Sequence, residues 1–108
     1  MLLDRPYPLT DETFDRVIAD AGIPVVVDFY ADWCGPCKMM APDMDAFAAK
    51  HAGRVFAVKM DTDRNQATAQ RFNIRGIPTI MRFEAGVKTA EQSGAIRLAE
   101  IERFSGVA

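Results

Sequence analysis

The run Pro24-Val25-Val26-Val27-Asp28-Phe29-Tyr30 is apolar on both of its alternating faces, interrupted only by Asp28. Successive side chains of a strand point to opposite faces, so such a run stays dry only where both faces of its sheet are covered. Its branched and aromatic residues favour a strand over a helix. Val55 to Met60 repeats the pattern, and segments of helical periodicity stand before, between and after the two. Strands separated by helices are joined by crossovers, which make neighbouring strands parallel. The expected class is α/β, a central mixed β-sheet with helices covering it.

The remaining segments fit that plan. Thr10, ahead of Asp11 and Glu12, reads as the cap of a helix whose apolar stripe is Phe14, Val17, Ile18 and Ala21, stopped by Gly22. A second helix runs from Cys34 to about His51, lined by Cys37, Met40, Ala41, Met44, Phe47 and Ala48. Pro42 removes its hydrogen bond to the Lys38 carbonyl and should kink it. Asp63 reads as the cap of a helix through Ala67 to Arg71, with Asn73 as its left-handed stop. Thr79 to Phe83 and Val87 to Ala90 read as a hairpin turned at Ala85-Gly86, which adds an antiparallel edge. Ala95 to Phe104 is a final helix, and a short strand lies near Tyr7 to Leu9. Met39, Met40, Met44, Met60 and Met81 read as core or near-core packing.

Residues 1–108 read as a single domain, long enough to bury a core without staples. Thirteen basic against fifteen acidic side chains give a net charge of −2, and no basic cluster offers a nucleic-acid surface. The amino terminus carries Asp4, Pro6 and Pro8 where a signal peptide needs a cationic start and a long apolar run. The most apolar stretch is too short to span a bilayer. The chain reads as soluble, unexported and cytoplasmic.

Both cysteines lie in Trp33-Cys34-Gly35-Pro36-Cys37, at the start of the second helix. A redox pair, half of a metal site and a structural bridge are the competing readings. Cβ atoms at i and i+3 on a helix lie roughly 5 to 6 Å apart and a disulfide wants about 3.8 Å, so the bridge closes with small adjustment. It encloses only Gly35 and Pro36, too short a loop for the entropic gain of a structural bridge. A structural zinc site takes four ligands, and the lone histidine, His51, lies far along the helix, where it suits the helix end instead.

Electron exchange is the reading that remains strongest. The N–H groups and dipole of a helix start stabilise a thiolate at Cys34, which should be the more exposed sulfur and the nucleophile. Cys37, one turn further in, can then attack the Cys34 sulfur of a mixed disulfide. Pro36 stiffens the first turn, where a missing N–H costs nothing. The bulk of Trp33 suits contact with partner proteins. Asp28 is the other telling residue: buried and ionised without a partner it would cost several kcal/mol, so it should be protonated or paired, with Lys59 in the next strand as the candidate. A carboxyl of raised pKa behind the dithiol could accept the proton of Cys37. The bland alternative is an edge-strand Asp facing water.

At these residues the chain resembles the thioredoxin family. Trp33-Cys34-Gly35-Pro36-Cys37 is that family's active-site pentapeptide. Val27-Asp28-Phe29, Lys38-Met39-Met40-Ala41-Pro42, Val58-Lys59, Asp63, Arg75-Gly76-Ile77-Pro78-Thr79, Phe83 with Gly86, and Gly94-Ala95 follow in family order. The resemblance implies a thioredoxin fold and a reductant of protein disulfides. It also implies recharging from NADPH by a flavin-containing thioredoxin reductase, a monomer, and no cofactor beyond the Cys34–Cys37 disulfide. Ile77-Pro78 is implied to be cis and to face the cysteines. With Trp33, Gly35, Pro36, Gly94 and Ala95, that loop is implied to form the patch on which a partner's extended backbone docks. Asp28 and Lys59 match the family's buried pair.

Two departures stand out: Tyr30 takes the place of a tryptophan common in relatives, and from Val87 onward only Gly94-Ala95 matches well. Two other functions remain to be weighed. One is an oxidant or isomerase of the same fold. The Gly-Pro pair, with no histidine before Cys37, argues against it; among such proteins thioredoxin itself is about 90 mV more reducing than protein disulfide isomerase, or roughly 4 kcal/mol. The other is a binding module whose thiols are dispensable.

Overall fold

The computed structural model describes residues 4–107. Val26, Val27 and Phe29 in it are wholly buried, each contributing roughly 1.5–3 kcal/mol of burial. They lie on β2 (Val25–Tyr30), the middle strand of a five-stranded sheet. The other elements are β1 (Tyr7–Pro8), α1 (Phe14–Asp20), α2 (Gly35–Lys50), β3 (Phe56–Asp61), α3 (Gln66–Arg71), β4 (Thr79–Glu84), β5 (Val87–Ser93) and α4 (Leu98–Ser105).

The sheet order is β1-β3-β2-β4-β5. β1 and β2 run parallel to β3, while β4 is antiparallel to β2 and β5 to β4. Each face carries its own core, as the two-sided strands require. Val25, Val27 and Phe29 pack with Phe14 and Ile18 of α1, and with Val58, Met60, Met81 and Phe83. Val26 packs on the other face with Met40, Met44 and Phe47 of α2, with Ala57 and Ile80, and with Ile101 of α4. The β4–β5 turn sits at Ala85 and Gly86, whose φ angles of 51° and 81° are those of the two-residue turn that matches strand twist.

Several local expectations are corrected. α1 starts at Phe14, not beside Thr10, and has no side-chain cap. The Asp11 carboxylate serves another helix: it accepts from Ala67 N at 3.3 Å, Thr68 N at 2.9 Å and Thr68 Oγ1 at 2.6 Å. Asp11 therefore takes the role expected of Asp63 at the start of α3. α4 begins at Leu98, three residues after Ala95, because Asp43 of α2 accepts from Leu98 N at 3.2 Å and Arg97 Nε at 2.8 Å. β5 runs on to Ser93, past the expected end at Ala90. Met39 is 78% exposed on the outer face of α2 and is not core packing. Pro42 lies inside the α2 helix, as its place in the sequence implies.

Candidate active site

The site is built where β2 hands the chain to α2. Cys34 is extended, at φ −84° and ψ 111°, and acts as the N-cap: its sulfur accepts the Cys37 N–H at 3.2 Å and its carbonyl accepts from Lys38 N at 3.2 Å. Pro36 occupies the first turn, where no N–H is missed. Cys34 and Cys37 are joined as a disulfide across a Cα–Cα distance of 5.3 Å.

Cys34 is not the more exposed of the two. The cysteines are 3% and 5% exposed, and what separates them is the space each one borders. Cys34 opens onto a surface groove of about 410 Å³ lined by Trp33, Gly35, Pro36, Thr62 and Ile74 to Ile77. Cys37 borders a separate cavity of about 170 Å³, shared with Asp28, Tyr30, Asp32, Lys38 and Lys59. One sulfur thus adjoins an open surface groove, and the other adjoins a carboxyl.

Of the residues expected in a docking patch, Trp33, Gly35, Pro36 and Ile77 line the groove. The Ile77–Pro78 bond is cis, and the Ile77 carbonyl oxygen lies 3.8 Å from Cys34 Sγ. Pro78 is buried behind the groove, where its carbonyl accepts the Gly94 N–H at 2.8 Å. Gly94 and Ala95 are exposed but do not line the groove; the Gly94–Pro78 bond ties them to the segment behind it. Trp33 is 70% exposed, with its indole N–H donated to Asp63 Oδ2 at 2.8 Å. Sequence reasoning missed that partner, and it missed Thr62, Ile74, Arg75 and Gly76 as groove residues. Arg75 and Gly76 could have been found from their adjacency to Ile77-Pro78; Thr62 carries no such signal.

Asp28 is 6% exposed on a central strand, which removes the edge-strand alternative. Burial raises its carboxyl to about 7 against the opposing pull of the Lys59 charge. The expected pairing is corrected in one respect. Asp28 and Lys59 are directly opposed in the β2–β3 register, yet they form no ion pair, and among the described residues Asp28 Oδ1 has no hydrogen-bond partner. Lys59 is only partly buried, and its Nζ sits 5.5 Å from the centre of the Tyr30 ring. A lysine stem can lie along the sheet while its ammonium reaches towards water, which accounts for the separation.

His51 caps the end of α2, far from these groups. Its Nδ1 lies 2.7 Å from Arg54 and its Nε2 lies 2.6 Å from Glu102 of α4. Arginine only donates, so Nδ1 accepts and Nε2 carries the hydrogen given to Glu102. The residue ties two helices together, in keeping with the structural role expected of it. Among the described residues, no group of three or more His, Cys, Asp or Glu side chains could hold a metal ion, and no helix is long and apolar enough to cross a membrane.

The family model described as Thioredoxin matches residues 5–105. The chain belongs to the thioredoxin family. The thioredoxin of Haemophilus influenzae is 43% identical over 96 residues, covering 89% of this chain and 90% of its own. That of Allochromatium vinosum is 43% identical over 101 residues, with 94% of each chain covered. Among solved structures, a mutant thioredoxin from Halobacterium salinarum NRC-1 matches with a TM-score of 0.83 at 34% identity, covering 94% of this chain and 92% of its own. The architecture is the thioredoxin fold, and this family member is a thiol–disulfide oxidoreductase with protein-disulfide reductase activity.

Proposed function

We propose that the chain reduces partner disulfides with Cys34 as nucleophile, Cys37 as resolving thiol and Asp28 as proton acceptor. The observation that carries this reading is the division of the two sulfurs between an open groove and a carboxyl-bearing cavity. In the dithiol form, the Cys34 thiolate, favoured by the free N–H groups at the α2 start, attacks one sulfur of a partner disulfide laid along the groove. The partner's S–S bond breaks, its other sulfur leaves as a thiolate, and a mixed disulfide forms at Cys34. Cys37 then loses its proton to the Asp28 carboxylate and attacks Cys34 Sγ, expelling the second partner thiolate. Two electrons have passed to the partner and the Cys34–Cys37 disulfide has formed.

A carboxyl titrating near 7 suits that transfer, because it can both hold and release a proton at neutral pH. Lys59, partly buried beside it, is the charge that steadies the carboxylate. Trp33, Gly35, Pro36 and Ile77 would hold the partner backbone, with buried Pro78 fixing the turn behind them and Gly94 and Ala95 exposed next to that turn. The cycle closes when an NADPH-dependent thioredoxin reductase returns two electrons and two protons to the disulfide, with no other cofactor taking part. Residues 1–108 act in this reading as one domain and as a monomer in the cytoplasm.

Turnover of insulin disulfides with dithiothreitol tests the assignment. Cys34→Ser abolishes it, and surviving activity would overturn the choice of nucleophile. Cys37→Ser leaves the first attack intact and accumulates a covalent adduct with partner proteins; recovery of no adduct would remove the resolving role.

A further inference from the structure

Asp28 and Lys59 stand opposite one another across two hydrogen-bonded strands and border one cavity, and still they do not touch. An anion and a cation at the edge of a low-dielectric site ordinarily draw together. A competing attraction is visible in the structure. Tyr30 lies on the same face of β2 as Asp28, two residues on, and the Lys59 ammonium lies 5.5 Å from its ring centroid. A cation within about 6 Å of an aromatic ring gains about 0.5–1 kcal/mol at an exposed site and more when desolvated. Burial and the nearby Asp61, Asp32 and Asp28 all raise the Tyr30 phenol, so the ring remains a neutral π surface at physiological pH. On its far side Lys59 borders a second, larger space of about 450 Å³ with Asp4, Arg5 and Asp45, into which the ammonium can lean.

We propose that Tyr30 is a positioning residue for the thiol chemistry: its ring holds the Lys59 ammonium at the mouth of the cavity, off the Asp28 carboxyl, so that this carboxyl stays free to take the proton of Cys37. The proposal rests on the reading of Asp28 as proton acceptor and names what keeps it in that state. The groups around the carboxyl leave Lys59 as the cation to be placed. α2 presents Cys37 and the exposed Lys38, the loop after β2 presents Asp32, and β3 presents Lys59 and then Asp61. From β4 the register partner is Ile80, which carries no charge.

The test is a titration of the Asp28 carboxyl carbon by NMR in the full chain with its disulfide formed, from about pH 4 to about pH 9. Tyr30→Leu lets the ammonium approach and lowers the midpoint by about one unit. Tyr30→Phe keeps the ring and leaves the midpoint where it is. In a Lys59→Met background, Tyr30→Leu moves the midpoint no further, because there is no ammonium left to place. An unchanged or raised midpoint in Tyr30→Leu overturns the proposal, as does an equal shift in both backgrounds or a Phe variant that behaves like Leu. One measurement needs no variant: the Lys59 ε-methylene protons should resonate upfield of ordinary lysine from the ring current, and ordinary positions would also overturn it. These readouts are independent of turnover. If Asp28→Asn left release from the mixed disulfide unslowed, the acceptor role would fall while the titrations still decided the placement of Lys59.

Discussion

Asp28 and Asp11 are the same side chain driven in opposite directions. Asp28 sits under α2 with Oδ1 unpartnered among the described residues and is raised to about 7 by burial. Asp11 sits at the start of α3, where bonds from the Thr68 side chain, then from the Thr68 and Ala67 backbone, hold it below its ordinary value. A carboxylate given donors contributes stability; a carboxyl denied them costs stability and becomes usable as a base. The two longest helices are both capped at their starts but differ in where the cap comes from. α2 is capped by a sulfur from its own first turn, whereas a distant carboxylate, Asp43, serves α4. The contrast therefore lies in the carboxyls: the one beside the dithiol is left without a donor and the one at the α3 start is satisfied.

Removing charge should therefore have opposite effects at the two aspartates. The larger effect belongs to Asp28. Its pKa in the fold, about 7, lies above the ordinary 3.8, so the folded chain holds the proton more tightly than the unfolded chain. Its contribution to stability is thus full below the ordinary value and is lost as pH rises from there through about 7. Asp28→Asn abolishes that decline, raising stability above neutral pH by on the order of 4 kcal/mol and by nothing in acid. Denaturant midpoints against pH measure this, and a variant less stable than the parent at about pH 8 would break the comparison. The same substitution slows release from the mixed disulfide more than the first attack.

The next effect is the reverse in sign. Asp11→Ala should lower stability by about 1 kcal/mol, the usual cost of losing a helix cap, seen as a fall of about 5 °C in Tm. Because the Asp11 pKa is lowered in the fold, its contribution is present above the ordinary 3.8 and is lost as pH falls through the folded value. Thermal melts at neutral and acid pH check both statements, and insulin reduction should be unaffected. The smallest effect is expected from Asp43→Ala, about 0.5–1 kcal/mol through loss of the Leu98 cap. An Asp43 variant that lost reductase activity at unchanged Tm would sharpen the contrast differently, by joining the α2–α4 contact to the groove through the loop at Gly94.

How much of this could be read beforehand follows the range of the interactions. The burial of β2 and β3, the helix start at Cys34 and the anomaly of Asp28 were legible, because periodicity and burial preference act within a few residues. The pairing of Asp28 with Lys59 was legible as register but not as contact, since the ring of Tyr30 competes for the ammonium. Asp11 was read as complementing its own helix, and Asp63 as a cap. The donors they meet lie 57 residues away at Thr68 and 30 residues away at Trp33. Nor did spacing reveal that both cysteines are buried and differ by the cavity each one borders.

Residue order alone determined a sheet covered on both faces and a dithiol at a helix start, because hydrophobic periodicity, helix dipole and the i, i+3 spacing are local properties of the chain. Which carboxylate finds donors and which is left without them was decided only when β2 was enclosed by its neighbours and α2 closed over it. Desolvation and hydrogen bonding depend on every group within reach in space, and most of those groups are far apart in sequence.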